Sequence, residues 1–305
     1  MTRIDAPTVA SPALSYRRGV LLVLLAGVCW SSMGLGIRAM EVANVWQILF
    51  YRSCALAPFL FAIIAIRSAG RPFAVIRKAG VASVIGALAL VVAFTGGIYA
   101  IQTTTVANAM FLFATAPFMA ALLGWLVLGE RVRRATMFAA AVALIGIVMM
   151  VVEGIALGFM RGNIAAFVSA FGFAIFTIAL RWGRLEDMLP TVFLSGIFAI
   201  AATGVVCLAA GYTLAIPARD ISISLSLGVF QVGAGLICFT IGSRVVPAAE
   251  LALLSMTEVV LGPLLVWLFL GETAGLYTLV GGAILMAAIA GNAISGLRRK
   301  PTPVM

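Results

Sequence analysis

A chain of 305 residues that is 64% hydrophobic and 10% charged, with a mean hydropathy of +1.19, carries more apolar surface than a soluble core absorbs. Soluble domains run to about 45–50% apolar and about 25% charged residues, and at about 20 residues per lipid-crossing helix the length leaves no room for a separate soluble domain. The formal charge of +10 does not mark a nucleic-acid partner, because the basic residues sit in short links between apolar runs, where they orient a membrane protein.

In chain order, residues 1–18 read as a tail. The apolar run after Arg17 and Arg18 reads as a first transmembrane helix and not a cleaved signal peptide, since nine more spans follow. The first five spans lie near 19–37, 44–66, 79–101, 106–128 and 135–152. The next five lie near 163–180, 189–210, 221–241, 247–270 and 276–294, before a basic tail at 297–305. Continuous helices are expected, because lipid offers no partner to a free backbone amide. With the N-terminus in the cytoplasm, the cytoplasmic tails and links hold sixteen Lys and Arg, against Arg38, Arg161 and Arg219 in the links on the other side. That bias predicts a multi-pass protein of the bacterial inner membrane with both termini cytoplasmic.

The chain repeats itself. Trp125 to Glu130 reads WLVLGE at the end of the fourth span and Trp267 to Glu272 reads WLFLGE at the end of the ninth, an offset of 142 residues. Arg18-Gly19 and Arg38 match Arg161-Gly162 and Arg181 at an offset of 143. The halves are 19–152 and 153–296. Each has five spans, an odd number, so the second half enters the membrane inverted relative to the first. Inverted repeats are a signature of secondary transporters, which expose a midplane site alternately to the two sides. The fold expected is therefore an all-α integral membrane bundle of ten helices, two inverted five-helix repeats around a central cavity.

Cys29-Trp30-Ser31-Ser32, Arg52, and Ala114-Thr115-Ala116-Pro117 running on to Leu128-Gly129-Glu130-Arg131, echoed at Leu270-Gly271-Glu272, resemble the drug/metabolite transporter superfamily. The likeness is to its bacterial ten-helix branch of two EamA-type repeats. It covers about Gly19 to Ile294. It implies transport of small organic solutes without ATP, commonly export, by alternating access, with the fifth and tenth helices peripheral. Within the family the reading is an exporter of amino acids, large neutral or aromatic; nucleosides and other metabolites or drugs are the alternative. Where the family often has a proline near the middle of the ninth span this chain has Glu258 and Val259, with Pro263 later, so a bend there is not carried over.

Ionisable groups inside a bilayer are costly, about 2.5–3.5 kcal/mol at a helix centre on insertion scales, so each calls for a reason. Arg52 lies roughly 12 Å into its span at 1.5 Å per residue. Two roles fit: holding a solute carboxylate through a two-pronged hydrogen bond, or holding the fold by pairing with carbonyls or a carboxylate. Glu258 stands midway along the ninth span and Glu250 eight residues earlier on nearly the same face. Either glutamate can serve proton coupling, or stay paired or neutral as a structural group. Trp30, Tyr51, Tyr99 and Phe171 are candidate cavity aromatics, with Ser32, Asn108 and Gln231 as polar contacts, against packing and interhelical bonding as the plainer roles. Glu130 and Glu272 read as helix-end features. The four cysteines lie within apolar runs as packing residues.

The chain has no histidine, which removes Ser-His and Cys-His nucleophile pairs and imidazole metal ligands. No enzyme activity, cofactor or metal site is expected. The partners expected are membrane lipid and a small-molecule solute, with proton coupling and no nucleic acid. A polytopic enzyme or an ion channel is the rival class, and the inverted repeat with few charged pore residues favours a carrier.

Overall fold

The structure, a computed structural model, describes residues 15–185 and 187–297. Most of the N-terminal tail and the basic C-terminal tail lie outside the described residues. The first half comprises α1 (Tyr16–Arg38), α2 (Val45–Arg67), a short link helix α3 (Pro72–Lys78), α4 (Gly80–Thr103), α5 (Val106–Phe113), α6 (Ala116–Leu128) and α7 (Arg134–Ala156). The second comprises α8 (Met160–Trp182), α9 (Leu189–Ala209), α10 (Ala218–Ser226), a π-helical stretch (Leu227–Ala234), α11 (Gly235–Gly242), α12 (Ala248–Leu270) and α13 (Leu276–Leu297). Ten helices or helix pairs are long and apolar enough to cross a membrane. With ten crossings both ends of the chain emerge at one face, the terminal face; the other is the opposite face.

Local sequence sets several boundaries. Asn44 and Gln47 form a capping box that starts α2, and Thr105 caps α5. Gly129 and Gly271, both left-handed at φ +67° and +68°, end α6 and α12.

Two spans depart from the continuous helices that the sequence suggests. The fourth breaks between α5 and α6 because Pro117, in the first turn of α6, has no N–H to donate and disfavours helical backbone before it. The eighth widens into the π-helical stretch, a form that gathers at functional sites. The ninth, with Pro263 inside it, is one helix.

Helix neighbours obey the two-fold relation of an inverted repeat. α4 packs on α8, and its repeat mate, the π-helical stretch with α11, packs on α1; α6 packs on α8 as α12 packs on α1. The pairs α2–α9 and α7–α13 are related to themselves. The last pair crosses where Gly146 and Gly281 face each other's carbonyl oxygens, leaving no space for a Cβ on either helix.

Polar side chains knit the opposite face. The Asp220 carboxylate, fully buried, accepts the backbone N–H groups of Glu41, Val42 and Ala43 at 3.0, 3.0 and 2.9 Å, tying the first link to the start of α10. Gln47 donates to the Thr213 carbonyl and Gln102 to that of Ala43. Asp220→Asn turns an amide donor toward at least one of those N–H groups, and a loss of about 1–3 kcal/mol of stability is expected, read as a lower thermal unfolding midpoint of the purified protein.

Candidate functional site

The sequence-predicted residues separate into groups. Trp30, Arg52, Gln231 and Glu258 lie near the middle depth of their spans. Trp30 rests against Gly235, where a Cβ would stand 2.7 Å from its Cδ1, and its ring lies 5.3 Å from that of Phe239. Arg52 belongs to α2, whose backbone at that point meets Gly228. Trp30 and Arg52 thus flank one stretch of the eighth span, with Gln231 between the two glycines. One turn of α1 from Trp30, Gly27 closely approaches Thr257 and Glu258 of α12, 3.1 Å separating a Cβ there from the Thr257 Cβ.

Arg52 is 1% exposed and its guanidinium lies 4.3 Å from the centre of the Phe94 ring. Among the described residues its Nε and Nη2 have no hydrogen-bond partner, and neither does the buried Gln231 Oε1. A fold-holding arginine calls for carbonyl or carboxylate partners, and among the described residues Nε and Nη2 meet none. A cation–π contact supplies about 2 kcal/mol when desolvated, less than the desolvation cost of a buried, unpaired guanidinium. Glu258 is half-buried on α12. Among the described residues it belongs to none of the ion pairs.

The other candidates lie elsewhere. Tyr51 donates its hydroxyl to the Leu214 carbonyl in the opposite-face link at 2.5 Å, and Tyr99 packs half-buried against the large apolar core. Asn108 donates to Asn163 and, at 2.9 Å, to the Thr104 hydroxyl. Ser32 donates back to the Cys29 carbonyl. Phe171 is 47% exposed and shares a stripe with exposed Ile164 and Val168, the spacing of a lipid-facing helix side. Glu250, at the start of α12, accepts the Tyr16 hydroxyl.

The two ends of the bundle differ. Seven of the eight residues of α5, at the opposite face, are buried. Its repeat mate is the first half of α12, at the terminal face, and no residue from Glu250 to Glu258 is buried. Equivalent segments are thus buried at one face and only partly buried at the other.

An ion pair marks each end. At the opposite face Arg38 Nε stands 2.8 Å from Glu272 Oε2, Arg38 Nη2 donates to the Thr104 carbonyl at 2.6 Å, and Glu272 Oε1 accepts the Val106 N–H at 2.7 Å. At the terminal face Arg181 Nη2 and Glu130 Oε1 are 2.5 Å apart. A groove of about 510 Å³ opens beside Glu272, between α5, α12 and α13, and a recess of about 170 Å³ beside Glu130 and Arg181. In the sequence these four residues read as link charges and helix ends. The signal was present: they are the residues that match at offsets 142 and 143.

An inverted pair of five-span repeats is the architecture of a multi-pass membrane transporter. The chain belongs to the EamA-like transporter family, whose sequence model matches residues 17–152 and again 160–294. It is 26% identical over 282 residues to a protein of Archaeoglobus fulgidus named as an uncharacterized transporter, covering 90% of this chain and 95% of the relative. It is also 26% identical over 280 residues to the "Pseudopaline exporter CntI" of Pseudomonas aeruginosa, covering 89% and 94%. A crystal structure 20% identical in sequence superimposes with a TM-score of 0.65 over 94% of this chain and the whole of the other, a likeness of fold.

Proposed function

We propose that this transporter is a secondary exporter of small organic solutes bearing a carboxylate, large neutral or aromatic amino acids first among them. It works by alternating access, without ATP, in the bacterial inner membrane with both termini cytoplasmic. The observation that carries the reading is Arg52, a buried guanidinium whose Nε and Nη2 lack partners among the described residues. A carboxylate entering that layer satisfies both nitrogens with a two-pronged bond and neutralises the charge. Trp30 and Phe94 offer an apolar, aromatic surround for a side chain, and Gln231 an amide, the mix of a small-molecule site. Glu258 is the candidate for proton coupling; Glu250, bonded to Tyr16 at the terminal face, is a secondary one. On the proposed topology the terminal face, where α12 is less buried, is cytoplasmic, the loading side of an exporter, and a relative named as an exporter supports that direction.

The test is counterflow in liposomes containing the purified protein, with labelled amino acids, nucleosides and uncharged metabolites offered in turn. Saturable exchange of neutral or aromatic amino acids is expected. Exchange confined to solutes without a carboxylate would overturn the reading.

A further inference from the structure

The repeat relates the two ion pairs and what each is placed to hold. Arg38 corresponds to Arg181 and Glu272 to Glu130. By the same offset of 142, Thr104 and Val106, which the opposite-face pair grips, correspond to Val246 and Ala248, just before and at the start of α12. At the opposite face the pair gathers the ends of four spans: α1 through Arg38, α12 through Glu272, α4 through the Thr104 carbonyl and α5 through the Val106 N–H. There α5 is buried nearly throughout. At the terminal face the side chains of Arg181 and Glu130 hydrogen-bond only to each other among the described residues. Their side chains are 49% and 39% exposed, against 28% and 23% for Arg38 and Glu272, and the segment of α12 that follows is not buried. One pair is engaged with its target segment and the other is not, and the segments follow suit.

From this we infer that Arg38–Glu272 and Arg181–Glu130 are the two latches of the transport cycle, each joining the two repeats and closing its own face by capturing the start of one repeat's fourth span. In the state seen here the opposite-face latch is shut on Thr104 and Val106. In the alternate state it releases them, and Arg181 and Glu130 take the Val246 carbonyl and the Ala248 N–H in the same geometry. The two latches share one design because the halves are copies, and opposite positions because the copies are inverted. The inference rests on the alternating-access part of the proposed function and not on the identity of the solute.

The test needs no solute. In full-length protein with Cys29, Cys54, Cys207 and Cys238 replaced by alanine, two reporters are introduced separately: Ala107→Cys beside the opposite-face latch, and Ser255→Cys on the unburied half of α12. Each is alkylated with a membrane-impermeant maleimide, which reacts only where water makes a thiolate available. With both latches intact, Ser255→Cys reacts quickly and Ala107→Cys slowly. Glu272→Gln or Arg38→Ala raises the Ala107→Cys rate by about tenfold or more and slows Ser255→Cys, a reciprocal shift of one equilibrium. Glu130→Gln leaves Ala107→Cys slow. The charge-reversed pair Arg38→Glu with Glu272→Arg restores the slow Ala107→Cys rate, and monodisperse size-exclusion profiles show that the variants are folded. An Ala107→Cys rate indifferent to Arg38 and Glu272, or one raised equally by Glu130→Gln, would overturn the inference, the second because it reports general loosening. A liposome assay that finds no carboxylate solute leaves this result standing, so the two readings fail separately.

Discussion

Arg52→Met is expected to abolish solute exchange while leaving the protein at least as stable as before. A structural arginine predicts the reverse for stability: removing one partner of a buried network strands the others and costs several kcal/mol. Arg52 has no such partners at Nε and Nη2 among the described residues, and its guanidinium lies over the Phe94 ring. Methionine fills similar space, keeps a favourable contact with an aromatic ring and removes a charge whose insertion costs about 2.5–3.5 kcal/mol at a helix centre. The thermal unfolding midpoint should therefore hold or rise. Transport should fall, since two charge-assisted hydrogen bonds to a carboxylate, at about 1.5 kcal/mol each, amount to a loss of roughly a hundredfold. Arg52→Lys keeps the charge but presents a point donor in place of a planar fork, so a partial loss is expected. Counterflow rates and unfolding midpoints of the three proteins decide the matter. A methionine variant that unfolds earlier and transports normally would return Arg52 to the fold.

Much of the architecture was legible before any coordinates because lipid imposes it. Spans must be long, apolar and internally hydrogen-bonded, and the duplicated WLVLGE and WLFLGE segments gave the repeat and, through the odd span count, its inversion. Trp30, Arg52, Gln231 and Glu258 stand out in sequence because each is aromatic or polar at mid-depth, where such residues are least expected. What stayed hidden was rotation. In a soluble helix the apolar stripe marks the buried side, but in a membrane both lipid and neighbouring helices are apolar, so pattern does not separate them. Phe171 and Trp30 read alike as mid-span aromatics, yet one lies on an exposed stripe and the other is wedged against Gly235. Tyr51 adjoins Arg52 in sequence but points its hydroxyl at a link carbonyl. The break before Pro117 was signalled by the proline itself, whereas hydropathy carries no signature of the π-helical stretch. Arg38 and Arg181 were absorbed into a charge bias, although the repeat had already matched them.

Glu258→Gln is expected to uncouple transport from a pH gradient while preserving exchange. The side chain keeps its shape and hydrogen-bonding capacity and loses only the ability to release and recapture a proton. Its position suits that role: mid-depth on α12, on the half of the helix that is unburied toward the terminal face, and outside every ion pair among the described residues. The charged groups on the neighbouring α1 are Arg17 and Arg18 at one end and Arg38 at the other. Arg38 is held by Glu272, and Arg17 and Arg18 lie more than two helical turns from Gly27, so no cation on α1 fixes Glu258 in its ionised form. With one proton exchanged per solute, each unit of imposed pH difference supplies about 1.36 kcal/mol, enough to drive about tenfold accumulation. In Glu258→Gln that accumulation should vanish at any gradient, while counterflow of labelled against unlabelled solute at equal pH continues at a comparable rate. Loss of both activities points instead to Glu258 contacting the solute itself, as the counter-charge to an ammonium group. Gradient-driven accumulation that survives the substitution would remove Glu258 from the coupling mechanism.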